Sequence, residues 1–140
     1  MYAEFDISLI TGNNEIDEQH KELISRINKL VACCKEKSGK LEAVKMLDYL
    51  SDYTEFHFSA EEALQEETGY PGLGTHKAKH DEFRKSVAEL HEMLIEEEGP
   101  TDAFVKAVNK NVIEWLYDHI KGFDCSVASY INLSSHADRL

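Results

Sequence analysis

Basic residues are scarce in this chain. Fifteen lysines and arginines stand against 27 aspartates and glutamates, a formal net charge of −12 over 140 residues. With no basic patch to neutralise phosphates, neither nucleic acid nor an anionic membrane surface is expected as a partner. Long apolar runs are also missing: none approaches the roughly 20 residues of a membrane helix. The start "MYAEFDISL" lacks the basic-then-apolar layout of a secretory leader. Cys33, Cys34 and Cys125 are odd in number and have no C-x-x-C spacing. That argues against a disulfide framework and for a reducing, cytoplasmic setting. The adjacent pair reads as one packed and one surface thiol. Proline occurs only twice and aromatics make up 9%, which suits a helical protein. At this length one domain with its own apolar core is expected.

What is present is regular. Glycine and proline cluster at Gly12, Ser38-Gly39, Gly69 to Gly74 around Pro71, Gly99-Pro100 and Gly122. The stretches between predict four helices at about 17–37, 41–67, 73–97 and 101–121. Residues 1–16 read as an irregular arm, and 123–133 as a short terminal turn or helix. The last residues, "SSHADRL", read as a polar tail or linker, so the domain is expected over 1–133 and the tail over 134–140.

Each helix carries an apolar stripe at steps of three and four. The first runs Leu23, Ile27, Leu30 and Cys34, and one step back lands on His20. The second runs Val44, Leu47, Leu50 and Thr54, then continues through His57, Glu61 and Leu64. The third opens with His76 and His80 before Phe83, Val87, Leu90 and Leu94. The fourth shows Phe104, Val108, Asn111 or Val112, Trp115 and His119. Five histidines and a glutamate thus fall on core-facing positions, while His91 and His136 read as solvated. An unpartnered buried carboxylate costs several kcal/mol, so something positive is expected among these groups.

Short connections favour antiparallel neighbours, hence an all-α, up-down-up-down four-helix bundle with an irregular N-terminal arm. In that arrangement His20, His57, Glu61, His76, His80 and His119 all lie at one end. Asp124 follows His119 by five residues, which a straight helix would turn away. It is either a surface acid or is bent inward through Gly122; spacing leaves both open. Imidazoles in this number exceed a four-coordinate zinc site, and "HKAKH" lacks the metalloprotease glutamate. Imidazole with carboxylate suits iron, and two irons sharing the carboxylates would use every group.

The segments "IDEQHKEL", "HFSAEE", "GYPGLGTHKAKHDEF" and "WLYDHIKGFD" together resemble the bacterial hemerythrin family, over about residues 5 to 125. The resemblance implies a non-haem di-iron site that binds dioxygen reversibly. It implies that His76, His80 and His119 hold one iron, and that His20 and His57 hold the other. Glu61 and Asp124 would bridge them, with a solvent-derived oxo or hydroxo bridge, leaving one coordination place open for dioxygen. Leu23, Phe58, Trp115 and Ile120 would line the oxygen pocket. The sequence departs from the family at Phe5, where tryptophan is frequent, at Asn13, where an apolar residue is common, and at Gln65, where methionine is frequent. Those departures predict a looser arm and easier solvent access to the irons.

The implied role is that of an oxygen carrier, store or sensor rather than an enzyme. A di-iron oxidase, peroxidase or nitric oxide-handling enzyme on the same bundle is the alternative. A fused or separate signalling output domain is a further possible partner.

Overall fold

The structure, a computed structural model, describes residues 2–36, 39–97 and 99–137, with side chains as far as residue 133. Ser38, the expected helix end at 37, the His136 side chain and residues 138–140 lie outside the described residues.

Three helices form the first three rods: α1 (Asn14–Lys35), α2 (Lys40–Thr68) and α3 (Leu73–Glu96). The fourth rod spans 102–137 and is composite. It joins α4 (Asp102–Val108), α5 (Trp115–His119) and α6 (Cys125–Ala137) through π-helical turns at Asn109–Glu114 and Ile120–Asp124. The rods pack as an antiparallel up-down-up-down bundle, and no β-strand occurs among the described residues.

Helix α1 begins three residues before the expected start because Asn13 caps it, its Oδ1 accepting from Ile16 N–H at 3.0 Å. The apolar-to-asparagine departure therefore secures a helix end. The arm is also held more firmly than the sequence predicts. Ala3 exchanges two hydrogen bonds with the Asn28 amide, at 2.8 and 2.9 Å. Glu4 N–H donates to the Tyr117 hydroxyl, and Thr11 donates twice to Asp17 Oδ1. Phe5 is half-buried against the core.

Helix α2 stops at Gly69, whose φ of 69° is left-handed; Tyr70 N–H then donates to the Gln65 carbonyl. The chain turns within a few residues and starts α3, which sets the His57–Gln65 end of α2 beside His76 and His80. The fourth rod does not end at Gly122, as expected, but continues to Ala137, past the boundary expected at 133.

The core runs the length of the bundle. All six expected α3 stripe residues are buried, as are Leu23, Ile27, Leu30, Leu47, Leu50, Phe104 and Val108. Burial departs from the expected stripes in four places, the one in the fourth rod being Trp115, which is half-buried while Ile113 and Leu116 are buried. Ala43 is buried and Val44 only partly; Cys33 is buried beside a half-buried Cys34. At the end of α2 the buried residue is Gln65, while Leu64 is only half-buried.

Candidate metal centre

The lower end of the bundle collects the polar stripe residues. His20, His57, Glu61, His76, His80, His119 and Asp124 are each 3% exposed or less. Their nitrogen and oxygen atoms form two groups that could hold a metal ion. One comprises Glu61, His76, His80, His119 and Asp124; the other comprises His20, His57, Glu61 and Asp124. Within each group the donor atoms lie within 4.8 Å of one another.

The two carboxylates belong to both groups, and their separate oxygens face different histidines. Glu61 turns Oε1 to His76 Nε2 at 2.7 Å and His80 Nε2 at 3.6 Å, and Oε2 to His57 Nε2 at 3.4 Å. Asp124 turns Oδ1 to His76 at 3.0 Å and His119 at 3.3 Å, and Oδ2 to His20 at 2.7 Å and His57 at 3.8 Å. A carboxylate so placed can bridge two cations.

Asp124 reaches this position through the backbone. Between Ile120 and Asp124 the rod widens into a π turn, in which Cys125 N–H donates to the Ile120 carbonyl five residues back. Residues five apart then share a face, so His119 and Asp124 both point inward. Gly122 is exposed, has no left-handed φ, and a side chain there would meet nothing within 4 Å. The helix winding, not glycine freedom, supplies the bend.

Burial would raise the Asp124 carboxyl, but His119, His20, His57 and His76 hold it well below the usual carboxylate range. Burial likewise pushes His76 and His57 down, yet the two acids outweigh it, raising His57 and lifting His76 to about 9. His119 is lowered, since burial dominates there despite Asp124. The residues fit metal because of what they leave unmet: His57 Nε2, His80 Nε2, both Glu61 oxygens and Asp124 Oδ1 are buried without a properly directed hydrogen bond. Buried polar atoms in folded proteins are otherwise almost always satisfied.

Three further residues, unforeseen from the sequence, steady the imidazoles from behind. The Gln19 carbonyl oxygen lies 2.6 Å from His57 Nδ1, Glu62 Oε2 lies 2.7 Å from His80 Nδ1, and the Gln65 amide lies 2.6 Å from His76 Nδ1. A proton on each Nδ1 leaves Nε2 as the free donor toward the centre. At Gln65 the nitrogen faces the ring and Oε1 has no partner. Turning that amide over lets Oε1 accept from His76 Nδ1–H, which the metal-binding tautomer requires. Gln65 lies four residues after Glu61 on the same stripe, so the sequence held a signal for it. Gln19 and Glu62 merely adjoin expected ligands and gave none.

Aromatic rings pack around the histidines. Phe58 stacks on His80 with centroids 3.8 Å apart and approaches His57 at 6.0 Å, so it borders both groups. Trp115 stacks on His119 at 4.4 Å and meets Phe83 at 4.8 Å, on the three-histidine side. Leu23 and Ile120 are fully buried in the surrounding core. His91 stands apart, half-buried and 3.1 Å from Asp48.

Comparison with known proteins agrees with this geometry. Residues 11–124 match the family model described as the hemerythrin HHE cation binding domain. The chain is 35% identical over 121 residues to a bacteriohemerythrin of Stenotrophomonas maltophilia, covering 86% of this chain and 75% of that one. It is 32% identical over 131 residues to a bacteriohemerythrin of Pseudomonas aeruginosa, covering 92% and 79%. A hemerythrin-like protein of Naegleria gruberi is 32% identical over 120 residues, covering 86% of each chain. A crystal structure of wild-type hemerythrin superposes with a TM-score of 0.79 at 27% identity, covering 92% of this chain and 97% of that one. With its bundle, its shared carboxylates and a family match spanning most of its length, the chain belongs to the hemerythrin family.

Proposed function

We propose that this protein binds dioxygen reversibly at a pair of non-haem irons, as a carrier, store or sensor. One observation carries the reading: Glu61 and Asp124 each present one oxygen to either histidine group, as bridging of two cations demands. His76, His80 and His119 would hold one iron and His20 and His57 the other, with an oxo or hydroxo group completing the bridge. When bound, such an iron pair would supply the electrons for dioxygen binding and take them back on release. The second group brings one imidazole fewer, which would leave a ligand place for dioxygen.

The chain's own residues do the rest. Gln19, Glu62 and Gln65 fix ring orientation and keep protons on the outer nitrogens. Leu23, Phe58 and Ile120 would form an apolar wall that excludes water and slows loss of the bound ligand, while Trp115, also expected in the pocket, stacks on His119 on the three-histidine side. The folded unit proposed is 1–133, with 134–140 a tail or linker whose first residues continue α6. The cysteine pattern supports a cytoplasmic setting as part of this proposal, and no helix among the described residues is long and apolar enough to cross a membrane.

Anaerobic reconstitution with ferrous iron, followed by visible spectra through cycles of oxygen and inert gas, tests the reading. Two irons per chain and a band that appears and fades with oxygen are expected, and His57→Ala should abolish it. Turnover of peroxide, nitric oxide or ferrous ion without reversible cycling would instead identify a di-iron enzyme. An unchanged spectrum in His57→Ala would reject the ligand set.

A further inference from the structure

A cleft of about 260 Å³ opens between α1 and α2 at the metal end of the bundle. Its lining includes Glu15 in the first turn of α1, Glu67 in the last turn of α2, and Gln19 and Glu61. Glu15 and Glu67 are exposed, no lysine or arginine lines the cleft, and neither carboxylate is ion-paired among the described residues. Glu61 is 2% exposed, lines the same cleft, and has no directed hydrogen bond to either oxygen. An uncompensated acidic cleft thus leads to an unsatisfied buried carboxylate that belongs to both ligand groups.

We propose that this cleft is the route by which ferrous ion reaches the paired site, with Glu15 and Glu67 capturing the hydrated cation and passing it inward to Glu61. The inference rests on the di-iron reading above and adds the way iron arrives. Size permits it: six waters at about 30 Å³ each occupy roughly 180 Å³, less than the cleft. The C-terminus of α2 adds a negative dipole end, and Glu15 offsets the positive end of α1. Another cleft, of about 190 Å³, reaches His119 past Glu82 and Asp118. There Lys79 lies in the lining, 3.2 Å from Glu82, and Trp115 and Phe123 wall the passage. With Lys79 offsetting Glu82, only Asp118 is left uncompensated at that mouth, so a dication is attracted there less strongly than at the first.

The chain contains a single tryptophan, Trp115, stacked on His119, so its fluorescence reports arrival of iron independently of oxygen binding. Metal-free protein is mixed with ferrous ion under argon in a stopped-flow instrument, and final iron content is counted. Glu15→Gln/Glu67→Gln should load about tenfold more slowly at low ionic strength, since charged clefts raise local cation concentration and association rates. At high salt the difference should shrink to about twofold or less. Final content should equal that of the wild type, and Glu82→Gln should load at the wild-type rate. Equal rates for the double variant at low salt would overturn the route while leaving the site intact. Slower loading in Glu82→Gln than in the double variant would move the route to the other cleft. A lower final content would mean that these carboxylates hold iron rather than pass it, and would also overturn the proposal. If no chain retains iron at all, the di-iron reading fails and takes the route with it.

Discussion

Replacing Gln65 with methionine, the residue the family often carries there, separates folding from metal binding. The Gln65 amide and His76 Nδ1 are 2.6 Å apart and both residues are 0% exposed. Methionine matches glutamine in length, so repacking should cost less than about 1.5 kcal/mol. In the metal-free fold it removes a buried amide whose Oε1 has no partner as well as the contact to His76 Nδ1; the two effects oppose each other, so the melt should change little. Iron binding should suffer. With Nε2 committed to metal, Nδ1–H is buried and left facing a thioether, a weak acceptor. Leaving a buried donor unsatisfied costs about 1–3 kcal/mol, and tenfold in affinity is about 1.4 kcal/mol. The expected loss is therefore about tenfold to a hundredfold, the range typical of a lost outer hydrogen bond at a metal site. Gln65→Glu keeps an acceptor and strengthens it by charge, so its affinity should equal or exceed that of the wild type. Competition with a chelator for ferrous iron, beside thermal melts of the metal-free chains, measures both quantities. A methionine variant that binds iron within about twofold of wild type, or a glutamate variant as weak as methionine, would refute the reasoning.

Two other single side chains give measurable outcomes. Asn13→Ala removes the α1 cap and should lower stability by about 1 kcal/mol, or about 3–5 °C in Tm; an unchanged melt would mean the cap contributes nothing. Burial raises the Cys34 thiol to about 11 from 9.0, so its thiolate is populated only at high pH. In a Cys125→Ser background, Cys34 should react with a disulfide reagent at pH 8 about a hundredfold more slowly than an exposed thiol, and labelling at the ordinary rate would contradict that. The sign is fixed by the raised value: folding favours the protonated thiol, and this contribution is lost as pH rises through about 11.

Much of this could be read from spacing. The stripe through His76, His80, Phe83, Val87, Leu90 and Leu94 matches burial at every position, as the period of 3.6 in an α-helix requires, while in α1 and α2 the buried face is offset by one residue at Cys33, Ala43 and Gln65. The fourth rod departs because it contains two π turns, and each extra residue rotates the helix downstream of it. Helix α1 starts three residues before the apolar period does, and "GNNEID" carries the signal for that, since a capping asparagine before the first acidic turn marks a helix start.

Local patterning in the sequence determined four rods, their core faces and the end where the imidazoles gather, because helical periodicity and short turns are properties of neighbouring residues. Only tertiary packing decided that Asp124 and Glu61 each divide their oxygens between two histidine groups. The same packing brought Gln19, Glu62 and Gln65 behind three of the rings. Those relations join residues up to 104 positions apart, as between His20 and Asp124, and depend on how far one rod is rotated against another. That rotation is set by the interlocking of side chains across the core, and periodicity along one chain segment does not contain it.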